Sequence, residues 1–461
     1  MKKIFLSILF TLTSIHGFCQ TETQFSKQQV LDDLAYLYTS LQDAHYDSHL
    51  YTTEASLRAN YNTVKKSIQK ESLTLLETTS TLQRFISAVN NGHAEIEFPA
   101  QSYTNYAENG GTLFPLEIAF EEGHSFVRKN WSSNTKIPVG ATVLSINGQS
   151  MNNILANIYP QVSAERLYFK HAKIEAYSFP RYYWQVFGQH DEFEVEIETK
   201  NQIKKYMLKA IDVIDGYEMK RDEVLNAQMQ LDFYGRTAYI NPGNFDGDEA
   251  KYQEFIAQSF EKINTEKAKS LIIDLRNNGG GNDSFSDYLI SYIADKPFSW
   301  SSKYQVKTSQ LLKNHIRNGN NSESDFSKAI LSHQNGETFT YTFKKYQPQP
   351  EAKRFKGLVY VLVNRQSHSQ ATVTATQIQD YNFGIILGEE TGEYSSLCAS
   401  QFKYKLPNTG IEVRSSKGFM TRVNGIIEQK GIQPDVVIKD HLLDENDEIL
   451  KEVLAIIREL R

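Results

Sequence analysis

The chain has 461 residues, of which 23% are charged and 40% hydrophobic, and its formal net charge is −6. That length exceeds what one compact core usually accommodates, so we expect two or three domains. The negative balance, with no long run of Lys or Arg, excludes the basic surface that a nucleic-acid partner would require.

The first residues have the pattern of a signal peptide. Lys2 and Lys3 form a basic start, residues 4–15 are mostly apolar, and a small-x-small cleavage site ends at Cys19. The apolar run is too short for a permanent membrane span, and no second segment approaches that length. The bulky residue before Cys19 disfavours a lipoprotein. We therefore expect an exported protein, periplasmic or secreted, with residues 1–19 removed and no integral membrane span.

Residues 20–92 have the pattern of a helical bundle. In the first helix, apolar residues recur at helical spacing (Val30, Leu31, Leu34, Leu37, Tyr38, Leu41), and two further stretches follow at 56–69 and 72–90. Asn90-Asn91-Gly92 is a typical helix stop.

Residues 93–215 are predicted to be β-rich with a helical insert. Residues 193–198 alternate strictly between apolar and charged, as a half-buried strand does. Residues 137–148 combine a Gly-bearing turn, a strand and a terminal Asn-Gly, and this string is similar to the core of a PDZ domain. A PDZ-like fold would bind extended peptides as an added strand.

From residue 216 to 442 the pattern is that of an α/β core. Residues 270–275 and 358–363 are continuous apolar strands, and helical segments alternate with them, which indicates a buried, largely parallel sheet. Residues 300–350 are polar and are predicted to form an irregular insertion. An amphipathic helix closes the chain at 443–461. The fold class is therefore α/β multidomain.

Two segments of this core could carry chemistry. Residues 274–281 read Asp-Leu-Arg-Asn-Asn-Gly-Gly-Gly, and the backbone N–H groups of Gly279, Gly280 and Gly281 could donate to an oxyanion. A structural turn is the alternative; a phosphate loop is disfavoured because its Gly-rich motifs are absent. Ser369 follows the strand at 358–363 and precedes a helix, so it is either a nucleophile or a simple N-cap.

Together these segments resemble the tail-specific serine peptidases, an S41-type family that includes C-terminal-processing and tricorn-core-like enzymes. The Gly-rich segment, the serine segment and Gly388-Glu389-Glu390-Thr391-Gly392 occur in the family's order. The resemblance implies a core of the ClpP/crotonase-like type, a peptide or unfolded-protein substrate, and no cofactor or metal. It implies Ser369 as nucleophile, since Asn364 lies five residues before it and Asp380 eleven after it, as in the family.

The resemblance also indicates the base. One branch of the family uses a lysine 25 residues after the serine, where this chain has Tyr394. The branch that resembles tricorn uses a histidine after the helical bundle, which implies His93, and a downstream glutamate, which implies Glu428. A serine that adjoins this histidine in that branch is replaced here by Gly92. His368 is the rival base, although adjacent side chains on a tight turn tend to point apart.

The resulting hypothesis is an exported serine endopeptidase, with the oxyanion held by the N–H groups of Gly280 or its neighbouring glycines and of Gln370. The alternative is a peptide-binding protein that has lost turnover on the same scaffold. A serine esterase is disfavoured because no suitable G-x-S-x-G occurs, and a zinc peptidase because no H-E-x-x-H occurs. The oligomeric state stays open.

Overall fold

A computed structural model describes residues 23–225, 227–319, 322–444 and 446–459. The predicted signal peptide lies outside the described residues. Within the described part of the chain, no helix combines the length and the apolar character that crossing a bilayer requires.

The N-terminal part is helical, as its apolar spacing predicts. Ser26 begins the first helix with a reciprocal capping box to Gln29. The helices bury their apolar faces against a four-stranded sheet from the C-terminal half, so they share one core with it rather than packing only on each other. The elements are β1 (Gln24–Ser26), α1 (Lys27–Ala44), α2 (Glu54–Ser67), β2 (Ser72–Thr74), α3 (Leu75–Ile86) and α4 (Ala100–Glu108).

The middle part is an antiparallel sheet with the predicted helical insert. Its six-stranded sheet has the order β4-β5-β6-β8-β9, with β7 paired to β6. Alternate residues of β8 are buried, as the strict alternation predicts. The likeness to a PDZ domain stays a prediction. The elements are β3 (Thr112–Leu113), β4 (Leu116–Glu121), β5 (His124–Asn130), β6 (Thr142–Ile146), β7 (Gln149–Ser150), α5 (Met151–Ile158), α6 (Leu167–Tyr177), α7 (Phe179–Phe187), β8 (Glu192–Thr199), β9 (Gln202–Lys209) and β10 (Ile211–Asp212).

The C-terminal part contains a second six-stranded sheet and the four-stranded sheet. The elements are β11 (Met229–Tyr234), β12 (Thr237–Pro242), α8 (Glu249–Thr265), β13 (Ser270–Asp274), α9 (Asp283–Ser291), β14 (Lys303–Lys307), α10 (Gln310–Asn318), α11 (Asp325–Ser332), β15 (Thr338–Tyr341), β16 (Leu358–Val363), α12 (Gln370–Tyr381), β17 (Ile385–Gly388), β18 (Leu397–Lys405), β19 (Glu412–Thr421), β20 (Val436–Val437) and α13 (Glu448–Glu459).

The second six-stranded sheet has the order β11-β12-β13-β16-β17-β20 and is parallel except for the β11–β12 pair. Its inner strands β13 and β16 are almost continuously apolar because both of their faces are covered. Residues such as Ile273 and Val361 pack against α8, α9 and α12, whereas Ile272 and Leu362 pack against α13. The predicted α/β multidomain class is confirmed.

The segment 300–350, predicted to be irregular, instead contains β14, α10, α11 and β15. Strand β14 pairs with β19, and the four-stranded order is β15-β14-β19-β18. The segment therefore completes the sheet on which the N-terminal helices pack. Its pairing partner lies far along the chain, so the local sequence pattern does not show it.

Candidate active site

Ser369 lies on a strained turn between β16 and α12. Its φ and ψ are 56° and −122°, a region that residues with a Cβ rarely adopt. Two hydrogen bonds hold the turn: Ser369 N–H donates to Glu393 Oε2 at 2.5 Å, and His368 N–H donates to the Asn278 carbonyl at 3.1 Å. The turn leaves the Ser369 side chain half-buried at the helix N-terminus.

The structure brings His93 to this serine. His93 Nε2 lies 3.0 Å from Ser369 Oγ, although the two residues are 276 positions apart. The chain that carries His93 is fixed at both of its backbone polar groups. Its N–H donates to Asn91 Oδ1 at 3.0 Å, and its carbonyl accepts from Gln401 Nε2 at 3.1 Å. The imidazole is therefore buried and aimed at the hydroxyl.

The carboxylate behind the imidazole is Glu393. Its Oε1 lies 2.8 Å from His93 Nδ1, and its side chain is completely buried. The Nδ1–H bond does not point directly at Oε1. The contact is therefore an ion-pair contact rather than a well-aligned hydrogen bond. Catalytic hydrogen bonds often align only when substrate is bound. One carboxylate thus contacts both the imidazole and, through Oε2, the backbone of Ser369.

The charges of this pair stabilise one another. Burial alone would lower the pKa of His93, but the carboxylates of Glu393 and, more weakly, Glu165 oppose it, and the pKa is raised overall. Burial likewise raises the pKa of Glu393, but the imidazolium opposes it, and the pKa of that carboxyl is lowered overall. Proton transfer from Ser369 to His93 therefore creates a cation beside a preformed anion.

Glu428, predicted as the carboxylate behind the base, does not occupy that position. Its side chain is exposed, whereas the carboxylate oxygen on His93 Nδ1 belongs to Glu393. The sheet topology explains the correction. Glu393 follows β17, and β17 is the parallel neighbour of β16, which leads to Ser369. The carboxyl ends of parallel neighbours meet at one sheet edge, so the two loops lie together.

A second buried carboxyl group, Glu165, lies beside the histidine turn. Its Oε1 accepts from the Gly92 N–H at 2.8 Å, whereas its buried Oε2 has no hydrogen-bond partner among the described residues. Burial and the field of Glu393 raise the pKa of Glu165 to about 7. A Cβ on Gly92 would lie 2.7 Å from the Phe169 ring, so there is no space here for a serine without a shift.

The predicted oxyanion donors are not equivalent. Gly279 N–H donates to Asn244 Oδ1 at 3.1 Å, and Gly280 N–H donates to Asn278 Oδ1 at 2.8 Å. These two donors are already engaged. Gly280 instead serves close packing: its φ is 90°, and a Cβ there would lie 2.7 Å from both Ser369 Cβ and Gln370 N.

The remaining predicted donors are the backbone N–H groups of Gly281 and Gln370. Neither has a hydrogen-bond acceptor among the described residues, and both residues line the cleft at Ser369. Gln370 is the first residue of α12, where the N–H groups of a helix point outward and the helix dipole favours negative charge. The Gln370 N–H is therefore well placed to donate a hydrogen bond to an oxyanion.

His368 does not reach the serine as a base. Its ring lies 5.6 Å from that of Phe169 and 5.8 Å from that of His93, and burial lowers its pKa to about 4. His93, His368 and Glu393 do place potential metal ligands within 4.8 Å of one another. Zn²⁺, which binds imidazole and carboxylate ligands, would disrupt the contact between His93 and Glu393 if it bound there.

Ser369 opens into a cleft of about 710 Å³ between the parts of the chain. Part of its lining is aromatic: the Phe343 ring makes tilted contacts with Trp300 at 5.1 Å and with Phe326 at 5.2 Å between ring centroids. The glycine loop and the start of α12 form another part, next to Ser369. A cleft of this size accommodates several residues of an extended peptide.

Comparison with known proteins agrees with this architecture. Residues 236–438 match the model for peptidase family S41. Through this core, the chain is similar to peptidase family S41. In addition, 189 residues are 26% identical to the tail-specific protease of Haemophilus influenzae, a match that covers 40% of this chain and 22% of that relative. The match therefore spans about a fifth of the length of the curated relative.

Solved structures share the fold of this chain. Mature CPAF superposes with a TM-score of 0.64 at 16% identity, over 89% of this chain and 92% of that one. Its complex with lactacystin gives 0.65 at 16% identity, over 94% and 98%. At this identity the likeness shows a shared architecture across nearly the whole chain.

Proposed function

We propose that this chain is an exported serine endopeptidase that hydrolyses peptide bonds by acyl transfer. Ser369 is the nucleophile, His93 the general base and Glu393 the carboxylate that orients the base. The observation that carries the proposal is the 3.0 Å separation of His93 Nε2 and Ser369 Oγ. A serine hydroxyl is a weak nucleophile at neutral pH, and an imidazole at this distance is the group that activates it.

The geometry supports a two-step reaction. His93 takes the proton of Ser369 as Oγ attacks the substrate carbonyl, and the resulting oxyanion accepts from the Gln370 N–H. The His93 imidazolium, steadied by Glu393, then protonates the leaving amine as the C–N bond breaks. Water, deprotonated by His93, attacks the acyl-enzyme, and its proton returns to Ser369 as the acid product leaves.

The comparisons support the substrate class. The curated relative is a tail-specific protease, and mature CPAF binds lactacystin. Together with the cleft of about 710 Å³, they favour a peptide or unfolded-protein substrate for this chain. The antiparallel sheet of β4 to β9 would present that peptide if the predicted PDZ likeness holds.

The test is covalent labelling with a fluorescent fluorophosphonate, together with turnover of denatured casein. The wild type is expected to take up one label on Ser369, and Ser369→Ala to take up none. Ser367→Ala is the matched control, because Ser367 Oγ donates to the Leu275 carbonyl rather than facing His93. Equal labelling of wild type and Ser369→Ala would refute the proposal.

The alternative is peptide binding without turnover. Its specific support is that Gly279 and Gly280 direct their N–H groups to asparagine side chains, which leaves fewer donors for an oxyanion. The two functions differ in casein turnover. Saturable peptide binding by a protein that neither labels nor cleaves would favour the alternative.

A further inference from the structure

Lys417 is a cation that lines the cleft of Ser369 and has no ion-pair partner among the described residues. It lies on β19 at the border between this cleft and an adjoining one of about 300 Å³, and it lines both. Among the described residues, its ammonium group has no hydrogen-bond acceptor and no carboxylate within ion-pair distance. Its Nζ lies 5.8 Å from the centroid of the Phe326 ring.

The other cations that line the cleft are neutralised. Lys173 Nζ lies 3.2 Å from Glu95, and Arg414 pairs with Glu97. Asp283 also lines the cleft and favours the charged form of Lys417, but it does not form an ion pair with it. Lys417 therefore carries the unneutralised positive charge among these three cations.

The surroundings of Lys417 strengthen any interaction that it makes. Burial lowers the pKa of its ammonium group to about 8, with Asp283 opposing. The aromatic wall excludes water from one side, because the Phe326 ring packs on Phe343 at 5.2 Å. A charge in such a site is costly when unpaired, and a ligand that pairs with it recovers that cost.

From this arrangement we infer that Lys417 is a specificity-determining residue that binds a carboxylate of the substrate. The ligand is either an Asp or Glu side chain at a fixed distance from the cleaved bond, or the carboxylate at the C-terminus of the peptide. The inference rests on the proposed function, since it places this carboxylate in the cleft of the nucleophile. It assigns a preference for acidic substrates to an enzyme whose own net charge is −6.

The first experiment maps cleavage sites by mass spectrometry in a peptide library with all residues randomised, used with free and with amidated C-termini. The wild type is expected to cleave peptides with Asp or Glu at one fixed position about 10–100-fold faster than peptides with Asn or Gln there. This is the range for the loss of a hydrogen bond to a charged group. A C-terminal ligand would show instead as an equal loss on amidation of the library.

Variants assign the effect to Lys417. Lys417→Met should abolish the preference, and Lys417→Glu should reverse it towards Lys and Arg. Lys403→Met is the matched control, because Lys403 lies on the neighbouring strand β18 and pairs with Glu412 at 2.7 Å. Uptake of a fluorophosphonate label on Ser369 in each variant shows that the catalytic groups are intact.

A binding arm keeps the inference separate from turnover. Ser369→Ala protein is titrated with fluorescent peptides that differ by one Glu-to-Gln change or by C-terminal amidation, with and without Lys417→Met. The inference is supported if the acidic peptide binds more tightly than its amide counterpart and Lys417→Met removes this difference. This result counts even if the wild type shows no cleavage. The same affinity for acid and amide peptides, or a preference that survives Lys417→Met, overturns it.

Discussion

Replacement of Glu393 by Gln tests the arrangement around His93 most stringently. The amide has the size of the carboxylate but offers one acceptor and one donor. In the structure each carboxylate oxygen has its own contact. Oε1 lies 2.8 Å from His93 Nδ1, and Oε2 accepts a hydrogen bond from Ser369 N–H at 2.5 Å. Either orientation of the amide therefore breaks one of the two contacts.

The cost follows from these contacts. If the amide oxygen stays on Ser369 N–H, the NH₂ group faces His93 Nδ1. The neutral imidazole must then carry its proton on Nε2, so it cannot accept the proton of the Ser369 hydroxyl. If the amide turns over, two donors face each other at Ser369. An ion pair at 2.8 Å in an effective dielectric of about 20 is worth about 6 kcal/mol. A loss of about 4 to 5.5 kcal/mol in the transition state lowers kcat roughly 10³- to 10⁴-fold.

The assay is casein turnover by Glu393→Gln, with Glu428→Gln as the matched control. The exposed carboxyl of Glu428 should be replaceable with a change of less than about twofold, as surface substitutions usually are. Thermal unfolding of both variants shows whether the fold is intact. The reasoning is refuted if Glu428→Gln loses activity by orders of magnitude while Glu393→Gln retains it.

Three further predictions concern the same site. Because Glu393 and, more weakly, Glu165 raise the pKa of His93, kcat/KM should fall as pH drops through that raised pKa, and Glu165→Gln should move the acid limb to lower pH; an unmoved limb contradicts the role of Glu165. Gly280→Ala should reduce turnover at least about 100-fold, because its Cβ would lie 2.7 Å from Ser369 Cβ and displace the nucleophile. Turnover at the wild-type rate would show that the glycine loop can move without displacing Ser369. EDTA should leave activity unchanged, whereas micromolar Zn²⁺ should inhibit. His368→Ala should weaken the inhibition by Zn²⁺ about tenfold without altering turnover in the absence of Zn²⁺. Identical inhibition of the wild type and of His368→Ala would exclude His368 as a zinc ligand.

The sequence predicts much of this site because some of its signals are local. Ser369 is recognisable from a buried strand, a short turn and a helix start, and His93 from a helix stop followed by a strand. Both depend on a few consecutive residues, and the resemblance to the family links them. The structure places these two side chains in contact.

Glu393 could not be identified in the same way. The chain has many acidic residues in loops, and the choice among them depends on which loop lies under the imidazole. That is settled by the parallel pairing of β16 and β17, a contact between separate strands. Glu428 has a suitable sequence context, but its loop runs at the surface. One available signal was that Glu393 follows a buried strand next in order to the strand of Ser369.

The same reason explains the segment 300–350. Its two helices have only nine and eight residues, and β14 pairs with β19, which lies far along the chain. The covered parallel strands were recognisable because burial on both faces leaves a continuous apolar run. In the four-stranded sheet, β14 pairs with a strand far along the chain, and the strands are not covered on both faces, so no continuous apolar run identifies them in the sequence.

The most direct test of the account is a crystal structure of the protein after reaction with a fluorophosphonate. It should show phosphorus bonded to Ser369 Oγ, His93 Nε2 within hydrogen-bonding distance of that oxygen or of the leaving-group position, and Glu393 on His93 Nδ1. A phosphonate on another residue, or an adduct on Ser369 with His93 turned away and a different base beside it, would contradict the account.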